Sequence, residues 1–133
     1  MSSTTIIPRQ TKYCQAIEQV LPTMGHATNA ELLDALRYKF PTLSATTVHR
    51  ATTRLAARGI IGIAPSTPDG AMRYDANTRP HDHFLCSSCG LLRDADVKQE
   101  VTPILEAAIG DCRISGRLTV SGLCKTCMED KIL

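Results

Sequence analysis

Between Asp75 and Asp94 the chain reads DANTRPHDHFLCSSCGLLRD, twenty residues with a carboxylate at each end, the pair His81 and His83, and the pair Cys86 and Cys89. Thiolates suit one kind of metal, whereas imidazole and carboxylate suit another. One short segment therefore has the donors to serve two metals of different chemistry, as expected of a metal-responsive protein. A second C-x-x-C pair, Cys124-Lys125-Thr126-Cys127, stands near the C-terminus. Two such knuckles can complete a tetrahedral four-thiolate shell with bonds of about 2.3 Å; with no open position, zinc there would be structural. The 34 residues between Cys89 and Cys124 leave room for a helix and a strand. An iron–sulfur cluster or a redox dithiol is the alternative use of the same pairs. Cys14 and Cys112 lack paired spacing and read as small buried side chains.

The second donor set is His81 and His83 with Asp75, Asp94 and, far upstream, His26. In an extended segment the alternation His81-Asp82-His83 turns both imidazoles to one face. Mixed nitrogen and oxygen ligands suit Fe(II) or Mn(II) and can also take Zn(II).

The elements that must position these groups follow from periodicity. Tyr13, Ile17, Val20 and Leu21 have helical spacing, and Met24-Gly25-His26 breaks it. Asn29 reads as the N-cap of a second helix carrying Leu32, Leu33, Leu36 and Phe40, with Pro41 just past its end. Ser44 can cap a third helix that stops at Gly59 and buries Val48, Ala51 and Leu55. Its other face shows Thr46, Thr47, His49, Arg50, Thr53 and Arg54, and no carboxylate occurs from Ser44 to Arg58. Such a helix fits the recognition helix of a helix-turn-helix, with Arg and Thr able to meet phosphates and base edges.

Ile60–Ala64 and Met72–Asp75, around an Asp69-Gly70 turn, read as a hairpin, which makes a winged helix; Arg73 on the wing is expected to reach the DNA backbone. Thr78-Arg79-Pro80 reads as a hinge. Beyond it lie strand candidates at His83–Cys86 and Leu91–Arg93, and an amphipathic helix over Lys98–Ile109 in which Pro103 is tolerable within the first turn. An alternating strand over Arg113–Ser121 and a short helix over Cys127 complete the chain. The fold class is α+β: a winged helix-turn-helix domain over residues 1–76, a hinge at 77–80, and a small α/β dimerisation and metal-binding domain over 81–133 with a four-cysteine zinc site. So small a second domain has little core and would gain from zinc and from pairing with a second copy.

The net charge of +2 is unevenly spread: residues 1–75 carry +3 and residues 76–133 carry −1, so the first half is the candidate partner for an anion. The N-terminus MSSTTIIPRQ has no signal-peptide pattern, and no apolar run approaches the roughly 18 residues that span a bilayer. A cytoplasmic location, where thiols stay reduced, is expected.

The winged helix with SATTVHRA, then HDHFLCSSCG, then CKTC resembles the ferric-uptake-regulator (Fur) family of bacterial metalloregulators over nearly the whole chain. The resemblance implies a homodimeric, metal-dependent repressor rather than an enzyme, bound to a palindromic operator in double-stranded DNA. It implies structural zinc at Cys86, Cys89, Cys124 and Cys127, and a regulatory Fe(II) or Mn(II) at His26, Asp75, His81, His83 and Asp94, one of each ion per subunit. Aspartate at both acidic positions is similar to the peroxide-sensing (PerR) branch, in which Fe(II) and hydrogen peroxide oxidise a ligand histidine, here His26 or His81. An iron-, manganese- or zinc-sensing regulator of the same family is the alternative, and a small metallohydrolase a more distant one. Three departures stand out. Only seven residues precede Pro8, where the family usually has a further helix; His49 replaces a usual tyrosine; and Pro80 and Gly116 occupy positions where a third metal site would need histidines.

Overall fold

The computed structural model describes residues 9–131, so the segment before Arg9, where the family's further helix is expected to be short or missing, lies outside the described residues. The chain forms two compact units, the first holding residues up to Ser66 with Gly70–Thr78, the second the remainder. Among the described residues no helix is long and apolar enough to cross a membrane.

In the first unit the order is α1 (Arg9–Met24), β1 (His26–Thr28), α2 (Asn29–Leu36), α3 (Ala45–Ala57), β2 (Gly62–Ala64) and β3 (Arg73–Asp75). Helical periodicity places Ile17, Leu21, Leu32, Val48 and Leu55 in one core, where each is at most 2 % exposed, and Tyr74 of β3 joins them. The expected stripe Val48, Ala51 and Leu55 is buried, and Thr52 is buried beside it. Ser44 caps α3 by accepting the Thr47 N–H at 3.2 Å. At the other end Gly59 adopts φ +72°, with Ile60 N–H bonded to Leu55 O and Gly59 N–H to Ala56 O, the double closure of a Schellman motif.

Three local expectations are corrected. Thr28, not Asn29, caps α2: its hydroxyl accepts from Glu31 N–H at 3.1 Å while Glu31 Oε1 accepts from Thr28 N–H at 2.9 Å. The sequence Thr28-Asn29-Ala30-Glu31 carries the T-x-x-E signal for this box. The helix ends at Leu36 rather than near Phe40, and the chain leaves it through a turn in which the Lys39 and Phe40 N–H groups both bond Leu36 O, at 3.1 and 2.9 Å; Phe40 packs edge-on against Tyr13 at 5.1 Å. Finally, β1 forms where only a break is expected. It joins β3 antiparallel, so the sheet has three strands in the order β1-β3-β2.

The second unit holds β4 (Asp82–Cys86), β5 (Leu92–Ala95), α4 (Lys98–Ile109), β6 (Thr119–Gly122) and α5 (Lys125–Lys131). Its sheet runs β5-β4-β6, with β4 antiparallel to β5 and parallel to β6. The alternating stretch from Arg113 pairs only from Thr119, because side chains hold the loop before it: Glu106 accepts Ile114 N–H at 2.7 Å, Lys98 Nζ donates to Ser115 O at 2.9 Å, and Asp82 accepts Leu118 N–H at 3.0 Å. Pro103 falls in the second turn of α4, not the first. Helix α4 buries none of its residues, and Ile104 and Ile109 are each 67 % exposed. Cys112 is exposed, contrary to its expected burial, because it lies in the loop after α4; Cys14 is buried in the first unit.

The capping box sets where β1 ends and α2 begins. Thr28→Ala is expected to destabilise the first unit by about 1 kcal/mol, read as a lower midpoint in urea unfolding.

Candidate metal centres and nucleic-acid face

Cys86 ends β4, Cys89 lies in the turn after it, and Cys124 and Cys127 flank and begin α5. The four sulfurs lie within 4.8 Å of one another. A tetrahedron with bonds of about 2.3 Å has edges of about 3.8 Å, and Cys89 Sγ is 3.8 Å from Cys124 Sγ. The backbone N–H groups of Cys89 and Cys124 donate to Cys86 Sγ at 3.5 and 3.4 Å and pull its thiol down to about 6. Cys127, sharing a proton with the Cys124 sulfur, is pushed up to about 12. Four neighbouring sulfurs resist ionising together unless a cation replaces their protons. The donor set fits a closed thiolate site.

The other donors sit on strand registers. In the first unit His26 of β1 stands opposite Asp75 of β3, and His26 Nε2 is 3.6 Å from Asp75 Oδ2. Asn77 N–H occupies Asp75 Oδ1 at 2.9 Å. Gly62 is the Asp75 partner on the other side, and a Cβ there would come to 3.4 Å from Asn77 O.

In the second unit His83 of β4 stands opposite Asp94 of β5, and the Nε2 atoms of His81 and His83 lie 3.4 and 3.5 Å from Asp94 Oδ1. The two rings are 4.4 Å apart, on one face of the strand as their spacing predicts, while Asp82 between them points to Leu118 N–H. His81 Nδ1 contacts Arg79 O at 2.6 Å. A carbonyl only accepts, so Nδ1 carries the proton and Nε2 presents its lone pair, the tautomer a metal requires. Lone pairs of imidazole and carboxylate facing each other at this distance call for a cation or a proton between them.

The structure thus brings His26 to Asp75 within one unit, and His81 and His83 to Asp94 within the other. The missed signal was β1: with no strand expected at His26, nothing local tied it to Asp75.

On α3, Thr46, His49, Arg50, Thr53 and Arg54 are exposed, and an open groove is lined by His49, Arg50, Thr53, Arg54 and Ala57. Thr47 is half-buried with its hydroxyl 2.9 Å from Ser44 Oγ, so capping occupies it. Arg73 is 6 % exposed on the central strand β3. This differs from its expected outward position on the wing, since its side chain is covered here.

A winged helix followed by a sheet with a four-thiolate cluster defines a metal-responsive regulator of transcription. The model of the Ferric uptake regulator family matches residues 8–109, and the chain belongs to that family. It is 32 % identical over 127 residues to the peroxide-responsive repressor PerR of Staphylococcus epidermidis, covering 92 % of this chain and 83 % of that one. It is 27 % identical to the peroxide operon regulator of Bacillus subtilis, covering 85 % and 79 %. Among solved structures, the ferric uptake regulator Fur of Helicobacter pylori superposes with a TM-score of 0.71 at 23 % identity, covering 88 % of this chain and 80 % of that one. The Campylobacter jejuni peroxide stress regulator gives 0.67 at 22 %, covering 90 % and 91 %. Members of the family are regulators rather than enzymes.

Cys89→Ser should remove the tightly held metal, read by elemental analysis after chelator treatment and gel filtration. Acidification of the unaltered protein should release the same ion, because protons compete with it for the thiolates.

Proposed function

We propose that the chain is a homodimeric, metal-dependent repressor that senses hydrogen peroxide through iron. Zinc, one per subunit, is structural at Cys86, Cys89, Cys124 and Cys127. A regulatory Fe(II) or Mn(II), one per subunit, is held by His26 and Asp75 of the first unit together with His81, His83 and Asp94 of the second. The observation that carries this is the twin arrangement of the carboxylates: each is an aspartate set opposite a histidine by strand register. The similarity to peroxide-responsive repressors points the same way.

Each half-site alone offers two or three donors, so an ion that takes both sets favours one arrangement of the two units. Reciprocally, DNA that binds that arrangement tightens the ion. The exposed apolar side chains of α4 and Val120 of β6 support pairing with a second copy. Thr46, His49, Arg50, Thr53 and Arg54 of α3, with Thr47 at its first turn, face a palindromic operator in double-stranded DNA; the protein acts in the cytoplasm.

Fe(II), if held there, would serve as the electron relay between the imidazole and peroxide. The net change adds one oxygen of the peroxide to an imidazole ring and releases the other as water. Side-chain exposure separates the candidates: His26 is 16 % exposed and His81 11 %, whereas His83 is 1 % exposed. This ordering supports His26 and His81, the two ligands that the family resemblance names, as the ones modified. The modified ring binds metal poorly, the two units lose their shared ion, and repression lifts.

Mass analysis of Fe(II)-loaded protein after dilute peroxide should show one added oxygen on the peptide containing His26 or His81, with parallel loss of operator binding. Mn(II)-loaded protein should bind the operator and remain unmodified. Unmodified histidines alongside intact Fe(II)-dependent binding would instead mark a regulator that senses iron, manganese or zinc as a ligand. Asp94→Glu should keep metal-dependent binding and blunt the peroxide response.

A further inference from the structure

A side-chain chain runs from the core of the first unit to the exposed face of α3. Thr52 is fully buried, and its hydroxyl contacts Asn29 Oδ1 at 2.8 Å as well as Val48 O and His49 O at 3.1 Å. Asn29, at the start of α2, places its amide nitrogen 3.3 Å from His49 Nδ1. An amide nitrogen only donates, so His49 Nδ1 accepts, and the proton of the neutral ring sits on Nε2. His49 itself is exposed beside Arg50 and Thr53 in the open groove of α3. A ring held from behind by a partner on another helix is a pre-organised donor, unlike the long flexible stems of Arg50 and Arg54.

We propose that His49 reads a base, and that Asn29 is the positioning residue that fixes its tautomer and aim. The Nε2–H of His49 meets an acceptor on a major-groove base edge: guanine O6 or N7, adenine N7 or thymine O4. Operator preference at one position of each half-site is therefore set by an α2–α3 contact as well as by α3. This inference rests on the proposed docking of α3 against DNA.

The test compares Mn(II)-loaded wild type, Arg50→Ala, His49→Ala, Asn29→Ala and the double variant on a library of operators randomised in each half-site. Arg50→Ala should weaken binding to every sequence and reduce the slope of affinity against salt. His49→Ala should flatten a preference of about fivefold at one position per half-site. Asn29→Ala should flatten the same position without changing the salt slope, and the double variant should lose no more than His49→Ala. In the DNA-free protein, ring nitrogen resonances should show His49 protonated on Nε2, and Asn29→Ala should give a mixture of tautomers. If Arg50→Ala leaves affinity and salt slope unchanged, the docking of α3 is wrong. If that docking holds but His49→Ala preserves every preference, His49 is not a reader. If His49→Ala flattens a position that Asn29→Ala leaves intact, the positioning role is wrong.

Discussion

Strand register is the constraint on which the metal chemistry of this chain depends. His26 and Asp75 are separated by 48 residues, yet β1 and β3 set them directly opposite, and β4 and β5 do the same for His83 and Asp94. Side chains alternate along a strand, so a slip of one residue would turn every donor to the wrong face. The local devices around these strands serve to prevent such a slip. The Thr28–Glu31 box ends β1 where α2 must begin, and Asn77 N–H engages one oxygen of Asp75. Asp82, pointing away from the imidazoles, ties the start of β4 to Leu118 just before β6.

The two units solve the problem of stability differently. The first has a conventional core in which α1, α2 and α3 bury their apolar stripes against Tyr74. The second has Cys86 as its buried apolar side chain and leaves α4 uncovered among the described residues. A sheet of three short strands with one helix buries too little apolar surface to stand easily alone. Four thiolates from two distant knuckles can join the end of β4 to the start of α5 through one ion, which substitutes coordination for core. The same geometry explains the divided acidity of the cluster. Backbone donors lower the Cys86 thiol, while the neighbouring Cys124 sulfur raises that of Cys127.

The candidate nucleic-acid face of α3 sets two exposed arginines, Arg50 and Arg54, beside an imidazole with a partner on another helix: His49 contacts Asn29, which contacts the buried Thr52. Asn29 does not cap its helix as its residue type suggests, because Thr28 already does. Its amide is thereby left to bridge two helices.

Much of the site was legible in the sequence, because spacing within a few residues is a local property. The C-x-x-C pairs, the alternation of His81 and His83, the Ser44 cap and Gly59 stop of α3, and the amphipathic run Lys98–Ile109 depend only on neighbours in the chain. Other features were decided by pairing between distant segments. The strand at His26 exists because β3 accepts it at an edge, and Arg73, on the centre strand β3, is covered. Likewise Cys112 is exposed and Arg113–Arg117 stays out of the sheet, where Glu106 and Lys98 claim the backbone of that loop, while Leu118 O already accepts His83 N–H at 3.0 Å. The sequence by itself thus determined which donor atoms exist and how near neighbours are spaced. Tertiary structure alone decided which of them face one another, since a β-partner is chosen by backbone hydrogen bonds that can come from anywhere in the chain.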